Sequence, residues 1–422
     1  MITINHNIYN KVRTVRKQIF HFSLFTFTLS MVLTSCIDFD DATQAISVDI
    51  QVTAPEGYPK ANLQGHDITL SGSHTFTAKT DAQGIAHFKN IIPDVYNASA
   101  SWKVSAEEYA QTTGKTVENK NYTVSGSLTA QTLDASTTAA IAMATTISQD
   151  QSILIGKVFY QGNKDDNNKN YVYANYLELY NNSEEAYDIA GLYIALLEST
   201  SPDSEYPLQY LTDSIVAKQV FRIPADQPFM VAPGGSVLLV NSAVDHTTKG
   251  ASVAPNLLSA DFEAKDKNNN RYENNPAVPE LIQLFSFTNN TFMNLMNGGP
   301  CGIVIFETDE DVAVDWVNNN LTYRYGYESG RQYMKIPSRF IIDAVDILKY
   351  NGETGVDPNT KRLFDYLDAG YAFTEAKIGY DGRLVRRKVA STTTDGRKIL
   401  QDTNNSANDF EATDNLTPRI YE

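Results

Sequence analysis

The side chains that could carry chemistry in this sequence are few and scattered. Past residue 35 the histidines are His66, His74, His87 and His246, and the thiols are Cys36 and Cys301. The sequence contains no Gly-x-Ser-x-Gly elbow, no His-Glu-x-x-His, no Cys-x-x-Cys and no phosphate-cradling glycine loop. His87 falls opposite the core face of its strand, and His66 and His74 sit beside turns, which makes them solvated side chains rather than a zinc or catalytic set. Asp245-His246 is the sharpest pair, and a turn after the strand ending at Val240 accounts for it. Glu178 lies mid-strand beside Leu177 and Leu179, on the polar face with Tyr180. It is expected to bond a neighbouring turn, since no second carboxylate is placed for acid catalysis.

Three loops offer clustered oxygen ligands of the kind calcium takes: Asp165-Asp166-Asn167-Asn168, Asp266-x-Asn268-x-Asn270 with Glu273, and Asp402-x-Asn404 running to Asp409. The second lacks the sixth-position glycine and the spacing of an EF-hand, and Asn and Asp are in any case the default turn residues. Arg383, Arg386, Arg387 and Lys388 form the one basic cluster past residue 35, read as a solvated or salt-bridged strand edge. Tyr323-Arg324-Tyr325-Gly326-Tyr327 is either a sugar or peptide platform or cross-strand packing. Cys301, leading into an apolar strand, reads as a small buried hydrophobe. No catalytic, cofactor-binding or metal-binding residue is assigned, and the chain is read as not an enzyme.

One thiol has a definite setting. Residues 1–35 carry Lys11, Arg13, Arg16 and Lys17 with no acid, then a 15-residue apolar run from Ile19 to Leu33, then small residues. That is the layout of a secretory signal, and the run falls short of the ~20 residues a spanning helix needs. Leu33-Thr34-Ser35-Cys36 resembles the lipobox of bacterial lipoproteins. The resemblance implies cleavage before Cys36, a diacylglyceryl thioether on its sulfur and attachment to a membrane through acyl chains, each buried methylene contributing ~0.8 kcal/mol. Ile37-Asp38-Phe39-Asp40-Asp41 follows, an acidic run resembling the signal that sends Bacteroidota lipoproteins to the outer face of the outer membrane. Residues 36–44 are read as an acidic tether.

The formal charge is −16, and without the leader 30 Lys and Arg stand against 50 Asp and Glu. Such a field repels nucleic acid and anionic lipid heads, so neither is an expected partner. The 24 Tyr and 19 Phe suit strands, and the apolar content supplies two or three cores.

The elements that must position these residues read as two β units. In residues 45–149, Ile46, Val48, Ile50 and Val52 alternate with polar neighbours, Asp81 and Gly84 fit a capped turn, and Tyr96, Ala98, Ala100 and Trp102 share a face. Thr80-Asp81-Ala82-Gln83-Gly84-Ile85-Ala86-His87-Phe88 with Pro93-Asp94-Val95-Tyr96 resembles the carboxypeptidase-regulatory-like sandwiches, with Asp94 at the usual glycine. The resemblance implies a spacer or stalk. Residues 134–150 are either a last strand and its exit or a linker.

Residues 150–422 open with a strand from Ile153, then Tyr176-Leu177-Glu178-Leu179-Tyr180-Asn181 and Ile189-Ala190-Gly191-Leu192. With Pro233-Gly234-Gly235 before an apolar strand and the closing Arg383–Arg387 and Asp402–Phe410 patterns, this unit resembles the lamin-tail, immunoglobulin-like sandwiches. It carries an insertion between Asp245 and Asn297, after which Gly302–Phe306 and Val312–Trp316 are expected to resume the sandwich. The whole resembles a Bacteroidota lipoprotein family of unknown function. The expected fold is mainly β, two β-sandwich units in tandem, the second expanded.

The function expected is a non-catalytic binding or accessory role in the cell envelope. Resemblance places such lipoproteins beside outer-membrane transporters of uptake systems, which makes a transporter the expected partner. An adhesin or envelope scaffold is the alternative, and a surface hydrolase the third. Asp213-Ser214-Ile215 resembles the short O-glycosylation sequon of Bacteroidota. The ligand is not encoded in any motif.

Overall fold

Strict alternation makes the first strand a half-buried one: Val48, Ile50 and Val52 are sealed while Asp49 and Gln51 point outward. The computed structural model containing it describes residues 44–114, 121–199, 205–268, 271–308, 310 and 314–422. The leader, Cys36, the tether as far as residue 43, and Asn270 of the second acid-amide loop lie outside the described residues.

Among the described residues up to 149 there are eight strands: β1 (Ile46–Val52), β2 (Asp67–Ser71), β3 (Thr75–Lys79), β4 (Ile85–Ile91), β5 (Asp94–Val104), β6 (Tyr122–Leu133), β7 (Ile141–Met143) and β8 (Thr145–Gln149). They form a three-stranded sheet, β4-β1-β7, and a five-stranded one, β3-β2-β5-β6-β8. Ile68, Leu70, Phe88, Tyr96 and Ala98 close a core with the β1 residues. The turn before β4 takes the expected form. One Asp81 oxygen accepts the N–H groups of Gln83 and Ile85, each at 2.8 Å, and Gly84 adopts φ 77°. Residues 134–150, left open by composition, hold the two short strands β7 and β8. Each extends one of the two sheets.

From Ile153 onward thirteen strands among the described residues build two larger sheets: β9 (Ile153–Phe159), β10 (Tyr176–Asn181), β11 (Tyr193–Leu197), β12 (Ser214–Arg222), β13 (Ser236–Val240), β14 (Phe262–Glu263), β15 (Ile282–Ser286), β16 (Ile303–Phe306), β17 (Leu321–Tyr323), β18 (Gln332–Pro337), β19 (Ile341–Val345), β20 (Leu384–Arg387) and β21 (Phe410–Thr413). Their orders are β14-β13-β10-β9-β20-β21 and β17-β18-β12-β11-β16-β19, with β15 also pairing β12. Ile155, Leu177, Leu179, Leu239, Ile194, Phe221, Ile305 and Val345 fill the space between them. This is a sandwich, and the fold is mainly β as the composition implies.

Two expectations change here. β10 does not carry an exposed polar face, because all six of its residues are buried. Segments of the insertion and Leu416 cover the outer face of its sheet around Phe159, Tyr176 and Leu238. On the other sheet Leu363, Trp316 and Leu321 cover Tyr193, Val304 and Met334. Sheets buried on both sides need near-continuous apolar strands, and β9, β11 and β16 supply them. The second change is at Val312–Trp316, of which residues 312 and 313 lie outside the described part. Val314–Asn319 is a short helix, and the place beside β16 goes to β19 instead.

Candidate ligand cleft

Each acid-amide loop spends its carboxylates on protein donors. Asp165 accepts the N–H groups of Asn167 and Lys169 at 2.9 and 2.7 Å, and Asp166 takes Ser252 through its N–H and hydroxyl at 2.9 and 2.7 Å. Asp266 accepts from the N–H groups of Arg271 and Tyr272, while Glu273 pairs with Lys249 at 2.8 Å. Among the described residues no cluster of three or more His, Cys, Asp and Glu is disposed around a cation.

The histidines serve four different surroundings. His66 stacks on Trp102 with ring centres 4.1 Å apart, and His74 bonds Ser73. His87 is exposed as expected, yet it lies 2.8 Å from Asp49 and 3.4 Å from Asp81, whose hydrogen bonds raise its pKa. His246 is buried beneath Asp245, which caps the following turn. Its Nδ1 meets the Tyr171 hydroxyl at 2.7 Å, and burial lowers its pKa. Cys301 is a buried free thiol, pushed up by burial.

The basic cluster departs from the expected strand edge, because β20 lies between β9 and β21. Arg383 is exposed and Arg386 pairs with Glu411 at 2.7 Å. Arg387 is fully buried among Asp343, Asp402 and Asp409 at 2.8, 3.2 and 3.4 Å. The third acid-amide loop thus supplies counter-charges to a guanidinium. Its Asp409 also accepts the N–H and hydroxyl of Thr403. Tyr325 stacks on Tyr210 of a separate loop, ring centres 3.6 Å apart and 7° from parallel, with both rings 44% exposed. Ser214 opens β12 half-buried, its hydroxyl 3.0 Å from Asp213.

The concavity that gathers recognition chemistry lies between the two β units. It has a volume of about 550 Å³, within the range of small-molecule sites. Asn97 and Ser127, from β5 and β6, form one wall. Tyr371, Phe373, Glu375 and Arg383 form the other, with Asn408 and Glu411 beside them. Ala372 is buried, and its two aromatic neighbours alternate to the half-buried side. Their rings lie 6.2 Å apart. Asn97 uses its carbonyl oxygen to accept the Ala130 N–H at 2.8 Å, which leaves its amide N–H₂ to donate.

Buried Asp368 holds this second wall from behind. It accepts the Gly370 N–H at 3.0 Å and both the N–H and hydroxyl of Ser406, at 2.8 and 2.6 Å. The site therefore sits on braced backbone, with both signs of charge at its rim. Phe410, from the closing pattern, lines it too, but neither Tyr371 nor Phe373 was singled out by motif. The Tyr371-Ala372-Phe373 alternation is the signal that could have marked it.

Residues 232–417 match the model of a family described as a protein of unknown function, DUF4876. A crystal structure of a DUF4876 family protein from Bacteroides thetaiotaomicron VPI-5482 is similar to this chain with TM-score 0.54 and 23% identity. The similarity covers 87% of this chain and 94% of that one. At that identity the likeness is one of fold. No curated protein matches the chain.

Proposed function

We propose that this is a lipid-anchored, non-catalytic binding protein of the bacterial cell envelope, tethered through Cys36 and taking a polar ligand in the cleft between its two β units. The observation that carries the binding role is the cleft itself, where half-buried Tyr371 and Phe373 face amide, hydroxyl and charged groups on a braced wall. Aromatic faces with convergent polar groups are the composition of ligand sites. Glu375 and Glu411 share the cleft but are exposed, and Glu411 is held by Arg386. A glycosidase acid needs a carboxyl set apart by an apolar surrounding, so the arrangement favours binding over hydrolysis.

The anchor and its outward address rest on the sequence of residues 1–41. The fold likeness to a Bacteroides protein supports that setting, and within it the first unit acts as the stalk and an outer-membrane uptake transporter is the partner. Palmitate incorporation in the intact cell tests the anchor, with Cys36→Ala as control. Label that persists in the control removes it. Thermal-shift screening of the mature chain against oligosaccharides and peptides tests the cleft, repeated with Phe373→Ala. Failure of every probe to stabilise the wild type, or equal stabilisation of the variant, removes the cleft as the binding site.

A further inference from the structure

The outer face of β9 and β10 holds a built seat for an extended peptide, and the segment Asn415–Glu422 occupies it. Its contacts read the backbone at several points. The Lys157 ammonium donates to the carbonyls of Thr417 and Ile420 at 2.8 and 2.7 Å, and the Tyr176 hydroxyl donates to the Leu416 carbonyl at 3.0 Å. The Arg419 N–H donates to Glu178 at 2.8 Å. The side chains are read as well. The Arg419 guanidinium bonds the carbonyls of Ser236 and Ser259 and the Asp261 carboxylate, the last at 2.7 Å.

Tyr421 lies across Tyr180, ring centres 4.8 Å apart, with Lys157 4.7 Å from its own ring centre. Its hydroxyl rests over Gly156, where a Cβ would come within 1.9 Å. Leu416 and Tyr421 are the buried anchors, in separate apolar clusters, while Thr417, Arg419 and Ile420 between them stay exposed.

We infer that this face is a peptide-recognition groove, and that it takes the same segment from a second copy of the chain when its own is displaced. Three observations mark the face as a groove that reads this segment rather than as ordinary apolar packing. Lys157 and Glu178 are both fully buried mid-strand, where apolar residues would serve a sheet better, and both are turned to the segment's backbone. Anchor side chains at the two ends with backbone bonds between them form the pattern of extended-peptide recognition. Asp414, between β21 and the segment, is exposed, so the connection leaves the groove through solvent. The cis arrangement prevails in the intact chain because tethering supplies a high local concentration.

The test begins with the full chain carrying a protease site at Asp414, folded first and cut afterwards. A fluorescent synthetic peptide of residues Asn415–Glu422 is then titrated onto the cut, washed protein. Saturable binding, competed by the unlabelled peptide but not by a scrambled one, is expected, and Gly156→Ala should abolish it. A second measurement mixes the cut, washed protein with full-length Gly156→Ala, whose groove is blocked and whose segment is free. A one-to-one heterodimer is expected in light scattering, with each component monomeric alone. A peptide that does not rebind, equal binding of the scrambled peptide, or a mixture that stays monomeric while both proteins remain folded overturns the inference. If the cut protein unfolds on washing, carboxypeptidase digestion of uncut Gly156→Ala reads displacement directly. A segment still protected there overturns it too.

Discussion

Arg387 and Asp343 clasp the two sheets of the larger sandwich together. Nη2 of Arg387, on β20, lies 2.8 and 2.9 Å from the two oxygens of Asp343, on β19. Both side chains also hold Ile155 of β9: Asp343 accepts its N–H at 2.6 Å and the Arg387 Nε donates to its carbonyl at 3.1 Å. Replacing the arginine leaves two buried carboxylates, Asp343 and Asp409, and the half-buried Asp402 without their cation. Arg387→Met is expected to destabilise the chain by about 3–5 kcal/mol, read from urea unfolding midpoints. Unchanged stability would mean that the acids relax into solvent.

The same cluster predicts a pH dependence. Burial pushes Asp409 up to about 7 against the pull of Arg387, and pushes Asp346, which faces Asp368, up to about 6. In the unfolded chain both carboxyls release their protons near the ordinary aspartate value. Between that value and the raised ones the folded state therefore binds more protons, so stability falls as pH rises through this window. Melting temperature should drop between about pH 4 and about pH 7, and Asp409→Asn should flatten the slope.

Gly370 forms part of the cleft wall, and a Cβ there would meet the Asn405 side-chain oxygen at 2.1 Å. Gly370→Ala should cost about 1–3 kcal/mol of stability and weaken any cleft ligand. Thermal unfolding and ligand titration on one preparation separate the two effects. Phe373→Ala, on the half-buried side of that wall, should lower affinity with a smaller change in stability.

Chelator is expected to leave the melting temperature of the purified chain unchanged. The carboxylates of Asp165, Asp166, Asp402 and Asp409 are already engaged by N–H groups, a hydroxyl or Arg387. A fall on adding EDTA, restored by calcium, would show that one of these loops exchanges its protein donors for a cation.

What the sequence determined by itself is what depends on near neighbours. The period of two in β1 and β5, the Asp81 and Gly84 turn and the buried thiol of Cys301 all follow from residues a few positions apart. So does the Leu33–Cys36 pattern that resembles a lipobox. Tertiary structure decided the fate of the polar residues inside strands. Glu178 looks outward in a local pattern, yet it is sealed by Arg419, 241 positions away, and Lys157 by Thr417, 260 positions away.

The cleft has the same origin, since Asn97 and Phe373 come together only when the two β units meet. Arg387 reads as an edge residue until β9 and β21 flank its strand. Alternation reports which side of a strand a residue takes. Whether that side meets water is set by segments that fold over it from far along the chain.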